Sequence, residues 1–418
     1  MCNLAHPHTH TPSQGHEHSL AHHGHGAERG ARNIAQHNHV EPGSRRDFLR
    51  MLMGTALAGS SVLELAYHRA AWANAAAPTA AGKLFDIQKA AEGIFFAHAH
   101  PQVQVNCNAA IFVRSKDVVV VDAHSKPSAA ASLIRQIQRE VTTKPVRYVV
   151  NTHFHWDHTQ GDHAYRAAFN PIDFVASSAT KQLLTDMGAQ RLKESLDAVP
   201  PHIEQLRKRS EASHDPAEKV FCADQISQLE AYQAELKNYT LELPTITFEK
   251  TYLLEDPAYD LHLEFHGHAH TAGDIFVFCP SRKVVATGDA SHGWLPNIGD
   301  GFPRAWPGTI DDLAKADFKY VLGGHGPMRP DRIVMMGQRN YIEEITERVA
   351  AAKQAGQSLD EMQKRITVAS LKSLKANGYG EILDHVIEVS NLHYGPMPPL
   401  QNGVNGNIAD VFKNLDRV

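Results

Sequence analysis

Beyond residue 84 the apolar positions fall into short clusters. Ile94-Phe95-Phe96 follows Gly93, Ala109 to Val113 comes next, and Val118-Val119-Val120-Val121 ends at Asp122. Short β-branched and aromatic runs between turn residues predict strands. Ser128 to Glu140 changes period, with Ala131, Ile134 and Ile137 at helical spacing, and Val146 to Val150 reads as a further buried strand. The result is a β-α-β unit, and Asn151 to His158 occupies the loop after its second strand, where open α/β sheets place ligand sites. From Ser177 to Lys237 the pattern is helical and strongly charged, with apolar positions at Leu183, Leu184, Leu192, Leu196, Ile203 and Leu206, then at Ile226, Leu229, Tyr232 and Leu236. Strands are predicted again at Thr245–Phe248, Leu261–Phe265, Asp274–Phe278 and Val284–Thr287, and helices at about Ile333–Ala352, Leu359–Leu374 and Glu381–Ser390. No fixed-period repeat is present. Two strand-rich halves suit an α/β sandwich of two sheets with helices outside, a helical insertion at 177–240 and a helical extension at 331–418.

The first 75 residues do not share this pattern. Residues 1–43 hold ten histidines (His6, His8, His10, His16, His18, His22, His23, His25, His37 and His39) among Pro, Gly, Ser and Asn, with few apolar side chains to pack. Such a segment is expected to be disordered, a solvated extension with incidental metal affinity or a holder of zinc near the folding chain. Ser44-Arg45-Arg46-Asp47-Phe48-Leu49-Arg50 then precedes a moderately apolar run, Met51 to Ala66, and the small-residue stretch Ala70 to Ala75. This order resembles a twin-arginine secretory signal, which implies the twin-arginine translocation machinery as a partner, cleavage after Ala73 or Ala75, and a periplasmic or secreted product. Gly54, Gly59 and Glu64 interrupt the run, which is shorter than the ~20 apolar residues a bilayer requires, so no stable membrane span is expected.

Charge and cysteine usage narrow the function classes. The net charge of −5, from 41 basic and 46 acidic side chains, comes without a basic block that could track a phosphate backbone, so nucleic acid is not the expected partner. Four scattered cysteines, Cys2, Cys107, Cys222 and Cys279, form no C-x-x-C pair and suggest neither a disulfide framework nor a thiolate zinc finger. Histidine is the unusual residue, with 28 in the chain. His153-Phe154-His155-Trp156-Asp157-His158 packs four potential ligands into six residues. Zinc accepts both imidazole nitrogen and carboxylate oxygen, and the alternating His153 and His155 would project to one side of an extended segment. Asp157 and His158 lie past the bend, within reach of a second metal.

The ordered series T-H-x-H-x-D-H, G-x-A-H-T-A-G-D, T-G-D and G-G-H-G, spread over about Gly93 to Pro327, resembles the metallo-β-lactamase superfamily. The resemblance implies an αββα sandwich of two mixed β-sheets over residues 84–330 and a site for two Zn2+ per chain. His153, His155 and His270 would bind the first ion, Asp157, His158 and His325 the second, and Asp289 would bridge them, with Asp122 orienting the loop rather than ligating. His266 and His268 crowd His270, but only His270 stands before Thr271-Ala272-Gly273-Asp274 as the motif demands; His124, His163, His292 and His393 are assigned no role. The implied reaction is attack by a metal-bound hydroxide, with Asp157 in a catalytic orienting role, on an ester, thioester, lactone or amide carbonyl of a small-molecule substrate. Asp289 resembles the aspartate that thioesterase-like and lactonase-like members carry and lactamases lack, which makes a β-lactamase the weaker expectation. The helical insertion is expected to wall or lid the pocket, with Trp156, Trp294 and Trp306 as candidate lining. An iron-dependent persulfide dioxygenase on the same scaffold and a periplasmic metal-binding protein remain as alternatives. His155, where flavodiiron oxidoreductases place a glutamate, argues against that class, and export argues against an RNA-processing nuclease.

Overall fold

Val118 to Val121 show how the sequence builds the layers. Side chains alternate across a strand, so Val118 and Val120 enter one core while Val119 and Val121 enter another. The computed structural model describes residues 84–100, 107–394 and 399–417. The histidine-rich leader and the twin-arginine segment lie outside the described residues.

The first sheet runs in the order β1 (Phe85–Ala91), β2 (Ile94–Ala99), β3 (Ala109–Val113), β4 (Val118–Val121), β5 (Val146–Val150), β6 (Asp173–Ser177) and β7 (Ile246–Phe248). Its first four strands pair antiparallel and β4 to β7 pair parallel. The second sheet has the order β12 (Tyr320–Gly323), β11 (Val284–Gly288), β10 (Phe276–Cys279), β9 (Leu261–Glu264) and β8 (Thr251–Leu254), antiparallel except between β11 and β12. Ile94, Phe96, Phe112, Val119, Val121 and Val150 of one sheet meet Leu261, Leu263, Val277, Val284, Ala286 and Leu322 of the other in the central core.

Each sheet has a helical cover on its outer face. Helix α1 (Pro127–Glu140) seats Ala130, Leu133 and Ile137 on Val118, Val120 and Val149. The second sheet presents Phe276, Phe278, Val285 and Val321 to α6 (Trp306–Leu313), α7 (Ile333–Gln354) and α10 (Leu400–Asn414). Two mixed sheets with helices outside form the expected αββα sandwich with a helical C-terminal region. Between β5 and β6 lie the short helices α2 (Trp156–Thr159) and α3 (Asp162–Ala168). Helices α4 (Ser178–Ala212) and α5 (Pro216–Leu236) form a hairpin with its own core, Val199, Ile203, Leu206, Leu229 and Tyr232. No helix among the described residues is long and apolar enough to cross a membrane.

The differences from the sequence pattern have local causes. The run expected as one helix from Leu359 to Leu374 is α8 (Leu359–Arg365), held by a Ser358–Glu361 capping box, followed by two 3-10 turns at Val368–Ser370 and Ser373–Lys375. Helix α9 (Tyr379–Tyr394) extends beyond the expected Glu381–Ser390 at both ends. Helix α10 was not signalled by its composition, since Gly403, Gly406, Asn402 and Asn405 are poor helix formers, yet Val404, Ile408 and Val411 make the buried stripe that holds it.

Candidate metal centre

The centre sits at one end of the sandwich, where four strands release their chain ends. Strand β4 ends at Asp122, whose backbone takes the left-handed conformation at φ 67° while its N–H still donates to Val150 O at 2.8 Å. Aspartate tolerates this region better than most residues. Its buried carboxylate accepts from the Thr152 N–H at 2.9 Å and the Thr152 hydroxyl at 3.0 Å, which fixes the loop leaving β5. That loop carries His153 and His155, and α2 carries Asp157 and His158. The segment before β10 supplies His270, the end of β11 supplies Asp289, and the turn after β12 supplies His325.

All seven residues singled out from sequence converge, and all are buried. His153 Nε2 and His270 Nε2 lie 3.2 and 2.9 Å from His155 Nδ1. In the second trio, Asp157 Oδ2 lies 3.4 Å from His158 Nε2 and 3.3 Å from His325 Nε2. Asp289 stands between the trios, with Oδ2 3.2 Å from His325 Nε2 and 3.7 Å from His270 Nε2, and Oδ1 3.4 Å from His158 Nε2. A tetrahedral ion with bonds of about 2.0–2.1 Å spaces its ligand atoms about 3.3 Å apart, close to these separations.

The outer nitrogens of four rings all face acceptors or a hydroxyl that is itself donating. His155 Nε2 faces Asp300 Oδ2 at 2.8 Å, His158 Nδ1 faces Asp122 Oδ2 at 2.9 Å and His270 Nδ1 faces Asn297 O at 2.9 Å. Carboxylates and carbonyls only accept, so each of these ring nitrogens carries its proton. His153 Nδ1 faces the Thr152 hydroxyl at 3.0 Å, and that hydroxyl donates to Asp122, so it accepts from the ring. The neutral rings then point unprotonated nitrogens at one another across 2.9–3.2 Å in the first trio. Lone pairs at that range repel, and a shared cation turns the repulsion into coordination.

The electrostatics point the same way. Burial pushes His153 well below its ordinary range, helped by His158 and His155, and pushes His270 down to about 4. Burial alone would raise the Asp157 and Asp289 carboxyls, but the surrounding histidines, His158 and His325 foremost, hold both well below the usual carboxylate range. Burial also opposes a proton on His158, yet Asp157, Asp289 and Asp122 pull it well above the usual histidine range. Ionised groups this deep cost several kcal/mol each unless paired, and the two carboxylates are paired here with His158, a place for positive charge that a cation could take over. Gly324 lets the trios approach: a Cβ there would fall 2.3 Å from Asp289 Oδ1 and 2.8 Å from His158 Cε1.

The remaining histidines are placed elsewhere. His266 is held between Glu264 at 2.9 Å and Asp312 at 2.7 Å, and His268 packs at a tilt against Phe302 with ring centroids 4.3 Å apart. His124 lies against Cys107, and His292 Nδ1 accepts the Trp294 N–H at 3.1 Å. The side chain of His393 lies outside the described residues. Of the tryptophans, Trp306 is a buried wall, its indole N–H donating to Ala290 O at 2.9 Å with its ring 5.6 Å from His270, and Trp156 packs on Tyr232 of the helical hairpin. Asp300 and Asn297 hold the His155 and His270 rings but were not legible in the sequence, because they lie in a Gly- and Pro-rich loop without a motif.

The chain belongs to the metallo-beta-lactamase superfamily, whose family model matches residues 103–325. Members of this superfamily are generally metal-dependent hydrolases. Solved structures similar to the chain include a metallo-beta-lactamase from Pontibacter korlensis, at 17% identity over 61% of this chain and 97% of that one, with a TM-score of 0.43. A metallo-beta-lactamase from Hirschia baltica is 17% identical over 62% of this chain and 98% of that one, TM-score 0.44. The metallo-beta-lactamase FIM-1 from Pseudomonas aeruginosa, in its mono-zinc form, is 16% identical over 63% and 96%, TM-score 0.44.

Asp122 spends both carboxylate oxygens on the site, one on His158 and both within reach of Thr152. Asp122→Asn leaves one acceptor oxygen for those donors. The expected result is a loss of metal affinity of about 10–100-fold, measured by competition with a chromophoric chelator.

Proposed function

We propose that this protein is an exported two-zinc hydrolase of small molecules bearing an ester, thioester, lactone or amide carbonyl. The observation that carries the reading is the Asp289 carboxylate, one oxygen toward His158 and the other toward His270 and His325, with a trio of ligand atoms on each side. His153, His155 and His270 would hold one ion, Asp157, His158 and His325 the other, and Asp289 both. When bound, two such ions polarise a carbonyl and make water acidic enough to ionise near neutrality.

The chain's own residues supply the rest. Asp300 and the Asn297 carbonyl keep His155 and His270 in the tautomers that present lone pairs inward, and Asp122 holds the outer nitrogen of His158, so that its inner proton is the one an incoming ion would displace. Asp157, buried and held ionised, would accept a hydrogen bond from an attacking water and orient it. No serine or cysteine nucleophile is needed: Cys107 is buried against His124, and burial pushes its thiol well above the ordinary range. The hairpin of α4 and α5 stands beside α2 through Trp156 and the Tyr232 to Gln160 hydrogen bond of 3.1 Å, and we assign it the role of a pocket wall.

Export rests on Ser44 to Arg50 and the apolar run that follows. Since the twin-arginine route is understood to move folded proteins, the metal would be loaded before crossing. A panel of ester, thioester, lactone and β-lactam substrates with the zinc-loaded protein tests the reaction. Chelator-sensitive hydrolysis of one carbonyl class supports it. Absence of hydrolysis across the panel, with oxygen consumed on a persulfide by an iron-loaded chain, would replace it with a dioxygenase.

A further inference from the structure

Two trios do not by themselves explain why loop 297–301 is held so firmly. This loop supplies the outer hydrogen-bond acceptors of two ligand rings, Asn297 O to His270 Nδ1 at 2.9 Å and Asp300 Oδ2 to His155 Nε2 at 2.8 Å. It is gripped from two distant parts of the chain. From the C-terminal region, Asn414 Nδ2 donates to Ile298 O at 3.1 Å and Gly299 O at 2.9 Å, and Arg417 donates to Asp300 O at 2.7 Å. From α4, Arg191 grips the carboxylate itself, Nη1 to Oδ2 at 2.9 Å and Nη2 to Oδ1 at 2.7 Å. The same guanidinium lies over the Phe154 ring, 5.0 Å from its centroid, and Phe154 is the residue between His153 and His155.

We propose that Arg191 is a positioning residue for the metal centre: through its bidentate grip on Asp300 and its cover over Phe154, the α4–α5 hairpin sets the orientation of the ligand His155. The inference rests on the two-metal reading of the site. A planar fork holds a carboxylate in one plane, whereas a single-point donor would let it turn. Asp300 Oδ2 is shared between Arg191 Nη1 and His155 Nε2, so rotation of the carboxylate would move the acceptor away from the ring. A change in the hairpin is thereby transmitted through Asp300 to the His155 ring.

The test is a double-mutant cycle on metal affinity in the full chain, with Arg191→Ala, Asp300→Ala and the double variant. Zn2+ affinity is read by chelator competition and ligand geometry by the visible spectrum of the Co2+-substituted protein. Asp300→Ala is expected to weaken the first-trio ion by about 10–100-fold, the usual range for a direct partner of a ligating histidine, and Arg191→Ala by about tenfold. Both should alter the Co2+ spectrum, and the double variant should lose less than the sum of the two single losses, since the route through Asp300 is shared. Arg191→Lys, which keeps the charge without the fork, should recover only part of the loss. The unfolding midpoint of the metal-free protein should not track these losses, since Arg191 is partly exposed. Unchanged affinity and spectrum in Arg191→Ala, or losses that simply add, would overturn the proposal while leaving the metal site standing. A wild-type chain that takes up no ion would overturn both. Should Arg191→Ala fail to fold, Arg191→Gln preserves chain length, lacks the charged fork and is read by the same outcomes.

Discussion

Asp289→Asn is expected to lower metal content from two ions per chain toward one and to cut turnover by at least about 10²–10³-fold, the scale on which loss of one preorganised charge acts. The substitution keeps the shape of the side chain and removes its charge. Asp289 is nearly inaccessible and its two oxygens face three histidine nitrogens at 3.2, 3.4 and 3.7 Å, so an amide must turn either its nitrogen toward His158 or toward the His270 and His325 pair. Either orientation places donor hydrogens where a cation should sit. The remaining trios keep their own members, which is why one ion is expected to survive. Elemental analysis alongside kcat checks both parts, and a variant that retains two ions and full turnover would remove Asp289 from the bridging role.

Gly324→Ala is expected to be nearly as damaging although it deletes no ligand. The added Cβ would lie 2.3 Å from Asp289 Oδ1, 2.8 Å from His158 Cε1 and 3.1 Å from Gly288 C. The backbone cannot retreat, because Gly324 N–H donates to Gly288 O at 2.8 Å and Gly324 O accepts from Asn108 N–H at 2.7 Å. His158 cannot rotate away without leaving Asp122, 2.9 Å from its outer nitrogen. The strain falls on the ligand positions, so metal affinity should drop by about 100-fold or more, with about 1–3 kcal/mol lost from fold stability as in other overpacked interiors. Calorimetric titration of Zn2+ together with thermal unfolding separates the two effects. A variant with wild-type affinity would show that the approach of β12 to Asp289 is slack.

Much of this cluster was legible in the chain because the candidate ligands come in short motifs at strand ends. His153, His155, Asp157 and His158 sit on six consecutive residues, and His270, Asp289 and His325 each follow or end a strand-rich segment. The layers were legible for a similar reason, since the runs at Val118–Val121 and Val284–Ala286 alternate between two cores. What escaped were short strands and the supports of the ligands. Strands β6 and β8 have only two or three apolar residues apiece and are defined by their neighbours rather than by their own period. Asp300 and Arg191 are ordinary charged residues in sequence. Their importance comes from a meeting between a loop and a helix 109 positions apart, which no local pattern encodes. Trp306 is the converse case: a conspicuous residue in the sequence that the fold uses to wall the core behind His270.

The central claim is that the seven side chains hold two metal ions. Metal content by elemental analysis of the purified, zinc-supplemented protein, with His153→Ala as control, tests it most directly. Close to two zinc ions per wild-type chain and a clear deficit in the variant are expected. Zinc at one ion per chain or fewer, or a content unchanged by His153→Ala, would contradict it.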